Sequence, residues 1–217
     1  MLSAISTIAI GYLIGSIPIA WLSGRILRGV DIRDVGSGNA GASNVWQSVS
    51  KALVVPVGLA QIAQGAAAVL LARSAGQGEA VQAAAGIAAV LAHDWNPWLG
   101  LSGGRGIGQT IGVLLVLSWV ALGLFAIVAL IGVVAKAVPQ FIALALVLTP
   151  AAALVSGQPA AIVPACGALA AIALLKRLLA NGVAEGATQS RAALWRNRLL
   201  FDRDIRDREA WVRRGLP

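Results

Sequence analysis

The chain has 217 residues, of which 58% are hydrophobic and only 12% are charged, and its mean hydropathy is +0.81. A soluble domain would carry about twice that charged fraction, so the composition excludes an ordinary soluble protein and predicts a membrane protein with several spans. The single cysteine, Cys166, excludes an internal disulfide and a cysteine metal cluster; with one histidine as well, we expect no bound metal and no cofactor.

Seven hydrophobic segments follow one another along the chain, and all are predicted to be helices, which makes the fold all-α and polytopic. The first is expected to be a retained span, because it has no basic start and runs into Gly15-Ser16-Ile17-Pro18. The fourth is too short to cross a bilayer alone, and a short helix at membrane depth is tolerated where it lines a polar cavity. The segments cover residues 2–22, 52–72, 80–98, 105–117, 119–136, 139–155 and 159–179.

The basic residues predict which side of the membrane each loop occupies. With seven spans, one side holds sixteen of the seventeen lysines and arginines, and Arg73 alone falls on the other. We therefore expect a multi-pass protein of the cell membrane with its N-terminus outside and its loops and C-terminus in the cytoplasm.

The net charge of +8 is concentrated after the last segment, where eight arginines lie within residues 191–214. That stretch has no nucleic-acid-binding motif and no aromatic stacking platform, so no nucleic-acid partner is expected. We divide the chain into a membrane domain, residues 1–182, and a basic tail, residues 183–217. Apolar residues among the arginines predict an amphipathic helix at the membrane interface, and a solvated tail is the alternative.

Between the first two segments lies a polar loop, Gly-Ser-Gly-Asn-Ala-Gly-Ala-Ser-Asn-Val, at residues 36–45. Serine hydroxyls, asparagine amides and exposed backbone N–H groups together are typical of a phosphate-binding loop, whereas a flexible connector is the simpler alternative. The candidate binding residues in this loop are Gly36, Ser37, Gly38, Asn39, Gly41, Ser43 and Asn44.

A second glycine-rich loop, Gly103-Gly104-Arg105-Gly106, precedes the fourth segment. Backbone N–H groups at a helix N-terminus bind anions, and the Arg105 guanidinium can hold two phosphate oxygens. The lysine and the Ser/Thr pair of a nucleotide P-loop are missing. His93, ten residues before this loop, is either a catalytic base or a structural hydrogen-bond donor.

Over almost its whole length the chain resembles the bacterial PlsY family of membrane glycerol-3-phosphate acyltransferases, which use acyl phosphate. The motifs that carry the resemblance are Gly15-Ser16-Ile17-Pro18, Gly24-Arg25, Asp31-Ile32-Arg33, the first loop through Val45, His93-x-Trp95 and the second loop. The resemblance implies an acyl transfer in phospholipid biosynthesis, from acyl phosphate to glycerol 3-phosphate. The candidate catalytic residues are Ser37, Asn39, His93 and Arg105, and the resemblance implies that the phosphate of the acyl donor, rather than His93, takes the proton of the attacking hydroxyl.

The chain departs from the family pattern at positions that concern phosphate binding. Gln47 stands where the family usually has an arginine, and Arg105 stands where it has a lysine. Gln109 replaces an expected threonine, and of the third family motif, a histidine and an asparagine before a basic helix, only Asn197 is a candidate. The cations that remain as substitutes for the family's arginine are Arg25, Arg33 and Lys51.

Acyl phosphate, glycerol 3-phosphate and the leaving group all carry phosphate, so this reaction requires two anion-binding loops. No Ser-His-Asp set or nucleophilic cysteine is visible, which predicts catalysis by positioning and charge stabilisation rather than through an acyl-enzyme. Two alternatives stand beside this hypothesis: a paralogue that acylates a different phosphorylated acceptor, and a non-catalytic lipid-binding or scaffold subunit. Membrane lipid is the expected surrounding, and the sequence leaves the oligomeric state open.

Overall fold

The computed structural model describes residues 2–181 and 190–212, and every regular element in these residues is helical. Two short 3-10 helices, Lys51–Leu53 and Pro97–Leu99, accompany the α-helices. The α-helices are α1 Ala4–Ser16, α2 Ile19–Arg28, α3 Ala42–Ser48, α4 Val54–Ser74, α5 Glu79–Asp94, α6 Ile107–Leu117, α7 Trp119–Val134, α8 Val138–Val155, α9 Ile162–Leu179, α10 Arg191–Phe201 and α11 Arg208–Val212.

The helices confirm the prediction of an all-helical membrane architecture. Four helical stretches are long and apolar enough to cross a membrane, and α6 and α7 are shorter apolar helices between them. The separation of α6 from α7 is marked by Ser118, whose hydroxyl accepts a hydrogen bond from the Ala121 N–H at 3.3 Å. The count of seven spans stays a prediction. The four long stretches are Ala4–Arg28, Lys51–Ser74, Val138–Val155 and Ile162–Leu179.

The first predicted segment, residues 2–22, is broken in the structure. Pro18 has no backbone N–H and separates α1 from α2. After the break, α2 continues to Arg28, six residues beyond the predicted end. The sequence-based boundary was therefore wrong, because the polar and basic residues that suggested a loop belong to a second short helix.

Side chains from neighbouring helices pair the carbonyl groups that the break at Pro18 releases. The Gln64 amide in α4 donates to the carbonyl oxygens of Ile14 and Ile17, at 2.7 and 3.0 Å. The Asn96 amide donates to the carbonyl oxygen of Ser16 at 2.7 Å. Because unpaired backbone groups are costly at membrane depth, these bonds fix the break against α4 and the end of α5.

Glycines let the central helices approach one another closely. Gly15 of α1 lies against Ala89 of α5, and Gly65 of α4 lies against the backbone of Gln109 in α6, so closely that a β-carbon at either glycine would collide. Helix association in lipid depends on this kind of backbone packing. Gly106, at the end of the second glycine-rich loop, lies against Val90 and Asp94, so the C-terminal end of α5 lies beside the N-terminal end of α6.

The isolated basic residue Arg73 lies at the opposite end of the bundle from that loop. Its guanidinium donates to the Val116 carbonyl oxygen in the last turn of α6, at 2.9 Å. Nearby, the Gln77 amide donates to the Leu2 carbonyl oxygen, also at 2.9 Å. The second loop precedes the first turn of the same helix, so the length of α6 separates it from Arg73.

The described part of the tail packs against the membrane domain. Arg198 in α10 donates to the carbonyl oxygens of Leu178 and Leu179 in the last turn of α9, at 2.6 and 3.2 Å. The same guanidinium forms an ion pair with Asp204 at 2.7 Å. The tail thus contains the helix α10 followed by the short α11, and its place at the membrane interface stays a prediction; the predicted domain boundary at residues 182 and 183 lies outside the described residues.

Candidate active site at the junction of two glycine-rich loops

The first glycine-rich loop is organised around the buried side chain of Asn44. Its amide oxygen accepts hydrogen bonds from the Ser37 N–H and the Ser48 hydroxyl, both at 3.1 Å. Its amide nitrogen donates to three carbonyl oxygens, those of Ile32 at 2.6 Å, Val35 at 3.1 Å and Asn39 at 3.1 Å. Because these contacts use both polar atoms of the side chain, Asn44 shapes the loop rather than offering its amide to a ligand.

Other polar side chains of this loop form no hydrogen bonds within it. The Ser37 hydroxyl oxygen is buried without a hydrogen-bond partner among the described residues. Asn39 is only 6% exposed, and within the same part of the chain its amide forms no hydrogen bond. Ser43 is exposed, and Gly41 has open space beside its backbone. Ser37 and Asn39 are therefore buried groups that remain available to a ligand.

The backbone of the first loop turns through left-handed conformations on either side of Ser37. Gly36 has a φ of +57° and Gly38 a φ of +69°. A side chain at either position would be strained, whereas glycine adopts this region freely. The two glycines thus allow the sharp turns that flank the Ser37 side chain.

The second loop lies directly over the C-terminal end of α5. Its N–H groups at Gly103 and Gly104 donate to the carbonyl oxygens of Asp94 and His93, at 3.2 and 3.3 Å. A β-carbon at Gly103 would collide with the His93 carbonyl, and one at Gly104 would collide with the imidazole Nε2. Gly106 then precedes α6, whose first turn has no side-chain cap; the Asp94 carboxylate lies beside Gly106 but accepts no hydrogen bond from the described residues.

The two loops contact each other. The Ala40 N–H of the first loop donates to the Gly103 carbonyl oxygen of the second, at 3.3 Å. Asn181, two residues after α9, donates from its amide nitrogen to the carbonyl oxygens of Gly38 and Gly103, at 3.0 and 2.8 Å. We call this region the loop junction, defined by Gly38, Ala40, Gly103, Gly104 and Asn181. It brings together two motifs that lie about sixty residues apart in the sequence.

Two cations that are largely shielded from water adjoin the loop junction. Arg105 donates from Nη1 to the Lys176 carbonyl oxygen at 2.8 Å. Its Nε lies 2.8 Å from the Asp202 Oδ1, an ion pair in which the N–H is not aligned with the oxygen. Lys176 is 1% exposed and donates from Nζ to the Asn181 Oδ1 at 2.9 Å. Asp94, also buried, interacts electrostatically with both cations, so charges of both signs are concentrated here.

The structure holds Arg33 and Arg25 in other contacts. The Arg33 guanidinium pairs with the Asp31 carboxylate at 2.7 Å and donates to the Leu99 carbonyl oxygen at 2.8 Å. Hydrogen bonds from Arg33 and from the Trp21 indole hold the pKa of Asp31 well below its usual range. Arg25 is exposed, with its guanidinium 5.7 Å from the centre of the Trp21 ring. Arg33 is therefore tied to the residues before the first loop, whereas Arg25 lies exposed beside Trp21.

The remaining three positions that the sequence singled out differ in their contacts: two form hydrogen bonds within the protein, and the amide oxygen of the third has no partner among the described residues. Asn197 donates to the Asp204 carbonyl oxygen at 3.1 Å, which ties α10 to the segment after it. Gln109 is buried in the membrane domain and donates to the Gln64 side chain at 3.2 Å. The Gln47 amide oxygen is buried, and within the described residues it has no hydrogen-bond partner.

Sequence reasoning missed Lys176, Asn181 and Asp202. In the sequence Lys176 is only one of many basic residues near a span end, Asn181 lies outside every motif, and Asp202 lies in a tail rich in charges. One signal was present for Lys176, which lies within the last predicted segment, residues 159–179, rather than in the tail. Across the described part of the chain, no three His, Cys, Asp or Glu side chains are grouped so as to hold a metal ion.

Comparison with known proteins gives the family of this chain. Residues 5–181 match the family model described as glycerol-3-phosphate acyltransferase. Glycerol-3-phosphate acyltransferase 4 of Dehalococcoides mccartyi (strain CBDB1) is 35% identical over 211 residues, which cover 94% of this chain and 91% of that protein. The glycerol-3-phosphate acyltransferase of Synechococcus sp. (strain CC9902) is 44% identical over 129 residues, or 58% of this chain. The chain spans 64%, 56% and 52% of the lengths of three relatives from Synechococcus and Parasynechococcus.

Solved structures agree with the family model. The crystal structure of PlsY (YgiH), an integral membrane glycerol 3-phosphate acyltransferase, in its glycerol 3-phosphate form has a TM-score of 0.75 and 29% identity, over 81% of this chain and 88% of that one. Its lysophosphatidic acid form has a TM-score of 0.72 and 27% identity over the same shares. By sequence and by structure, this chain belongs to the glycerol-3-phosphate acyltransferase family.

Proposed function

We propose that this protein transfers a fatty acyl group from acyl phosphate to glycerol 3-phosphate, as a step of phospholipid biosynthesis. The observation that carries the proposal is the loop junction, at which the two glycine-rich loops meet through the Ala40 N–H and the Gly103 carbonyl oxygen. Two phosphorylated substrates must meet in this reaction, and two loops in contact are suited to hold them. The names of the relatives and the glycerol 3-phosphate and lysophosphatidic acid forms of PlsY support the same activity.

The chemistry requires few protein groups. An ester bond forms between a hydroxyl oxygen of glycerol 3-phosphate and the acyl carbon, and the bond from that carbon to a phosphate oxygen breaks. The hydroxyl proton passes to the departing phosphate, so the products are lysophosphatidic acid and inorganic phosphate. The protein then contributes by holding the hydroxyl near the acyl carbon and by stabilising the charge of the leaving phosphate.

We assign the candidate residues to these two tasks. Ser37 and Asn39 donate their unused hydroxyl and amide groups to one phosphate. Arg105 and the uncapped N–H groups at the start of α6 bind the other and take up its developing charge. His93, whose Nε2 lies against Gly104, orients the attacking hydroxyl. The acyl chain lies between the helices and enters from the lipid.

We place the loop junction at the cytoplasmic face of the cell membrane, with the N-terminus outside. The separation of Arg73 from the second loop by the length of α6 supports this orientation. The tail supports it too: Trp195, Leu199 and Leu200 of α10 are exposed, whereas Arg198 faces the protein. A helix with exposed apolar residues next to many arginines is suited to the surface of an anionic bilayer.

The experiment is to incorporate the purified protein into lipid, to add acyl phosphate and glycerol 3-phosphate, and to measure lysophosphatidic acid and free phosphate. Equal release of both products, dependent on both substrates, supports the proposal. Transfer only to another phosphorylated acceptor would favour a paralogue with a different substrate. Absence of transfer to any acceptor would favour a lipid-binding or scaffold subunit.

A further inference from the structure

Lys176 is a buried cation that the proposed reaction does not yet use. Its side chain is 1% exposed, and its Nζ forms one short hydrogen bond, to the Asn181 Oδ1 at 2.9 Å. The next contact is a long one, 3.5 Å to the Leu101 carbonyl oxygen, and the ammonium lies 5.2 Å from the centre of the Trp95 ring. An ammonium has three N–H groups, so this cation retains capacity for a further acceptor. The buried Asp94 carboxylate acts on this charge electrostatically but accepts no hydrogen bond from the ammonium.

Both glycine-rich loops are connected to Lys176. Its ammonium is bonded to Asn181, whose amide nitrogen donates to the carbonyl oxygens of Gly38 and Gly103. Its backbone carbonyl oxygen accepts the hydrogen bond from Arg105 at 2.8 Å. The Asn181 side chain therefore links Lys176 to both loops, and one backbone hydrogen bond joins Lys176 to the arginine of the second loop.

The charges around Lys176 favour an anion. Arg105 and Arg177 are the further cations of this region, and they interact with each other and with Asp202. Asp94 is the carboxylate that acts on Lys176 itself. Three cations thus face two carboxylates, which leaves an excess of positive charge in this region.

The other cations considered as substitutes at Gln47 do not share these contacts. Arg33 is paired with Asp31, Arg25 is exposed over an indole ring, and Lys51 is exposed. Lys176 alone among these four is bonded to a residue of the loop junction within the described structure. Its position and its burial set it apart from the other candidates.

We infer that Lys176 is the second cation of the phosphate site, that it supplies the charge absent at Gln47, and that Asn181 is the residue that positions it. The ligand is a phosphate group, either inorganic phosphate or the phosphate of a substrate, and its identity as a substrate phosphate rests on the function proposed above. Lys176 binds a phosphate oxygen, and Asn181 holds the ammonium and both loops in register.

The test compares the wild-type protein in lipid nanodiscs with Lys176→Met, Lys176→Arg and the matched control Lys136→Met, which removes an exposed lysine between α7 and α8. Affinity for inorganic phosphate is obtained from the phosphate-dependent rise in melting temperature, and KM is measured for each substrate separately. We expect Lys176→Met to weaken phosphate affinity by about ten- to a hundredfold, the loss of one charge-assisted hydrogen bond, and Lys176→Arg to retain most of it. Lys136→Met should bind as the wild type does.

A purely structural lysine would lower the melting temperature of Lys176→Met without changing the phosphate affinity of the folded protein, and that result would overturn the inference. If Lys176→Met does not fold, Lys176→Gln decides, because it removes the charge and keeps a polar side chain that can donate to the Asn181 Oδ1. Weaker phosphate binding in Lys176→Gln then supports the inference, and unchanged binding overturns it. Phosphate affinity needs no turnover, so a wild-type protein without acyl transfer would overturn the proposed function and still leave this comparison decisive.

Discussion

The first loop contains two asparagines, and the structure gives them opposite roles that substitution can separate. Asn44 makes five hydrogen bonds within the loop and its helix, whereas the Asn39 amide makes none to the described residues. We expect Asn44→Ala to destabilise the protein and to lower activity through the disordered loop. We expect Asn39→Ala to lower activity while leaving stability unchanged.

The magnitude for Asn44→Ala follows from these contacts. At about 0.5–1.5 kcal/mol net for each hydrogen bond, five bonds sum to roughly 3–7 kcal/mol. The amide nitrogen has only two N–H groups for three acceptors, and water enters part of the vacated space, so we expect the lower end, about 3 kcal/mol. For a chain of this length that corresponds to a fall in melting temperature of roughly 6–12 °C.

The assay is the melting temperature in detergent, followed by turnover in lipid at a temperature where both variants are folded. Asn39→Ala should melt with the wild type and lose about ten- to a hundredfold in turnover, since it removes a hydrogen bond to a charged ligand. Ser37→Ala should behave as Asn39→Ala does. Equal melting temperatures for Asn44→Ala and the wild type would refute the view that Asn44 organises the loop.

Three further predictions concern the charges and the topology. Arg105→Ala should abolish turnover, whereas Arg105→Lys should keep part of it. Gln47→Arg should lower the KM for glycerol 3-phosphate. If Arg105→Ala is active and Gln47→Arg leaves the KM unchanged, the phosphates bind elsewhere. Asp202→Asn removes the carboxylate that competes for the Arg105 guanidinium and should lower the KM of a phosphorylated substrate by roughly two- to fivefold, as measured by initial rates; a higher KM would mean that this ion pair helps to build the site. A membrane-impermeant thiol reagent should label a cysteine introduced at Gln77 only from outside the cell and one at Arg191 only after the membrane is opened; labelling of both from one side would contradict the orientation.

The fold class could be predicted from the sequence because it depends on local composition. A run of apolar residues becomes a helix in lipid whatever its neighbours are, whereas the side of the membrane indicated by the basic residues stays a prediction. The glycine-rich motifs were equally visible, since close packing such as that of Gly104 on His93 requires a residue without a β-carbon. The family followed from those motifs.

The division of labour within the loops could not be predicted in this way. Asn39 and Asn44 are the same residue type five positions apart. Only the tertiary structure brings the carbonyl oxygens of Ile32 and Val35 within hydrogen-bond distance of the Asn44 amide, so that this side chain binds the backbone. The same holds at Pro18, where the sequence shows the break but not the side chains that pair its carbonyl groups.

Lys176 shows this most clearly. By sequence alone it is a positive charge near the end of a span, and its neighbours along the chain are apolar residues and Arg177. The tertiary structure brings it to Asn181, and through that amide to Gly38 and Gly103, which lie 138 and 73 residues before it. Hydropathy and charge determine where a helix lies in the membrane, but the partners of a buried polar group depend on which distant backbone atoms packing places within hydrogen-bond distance.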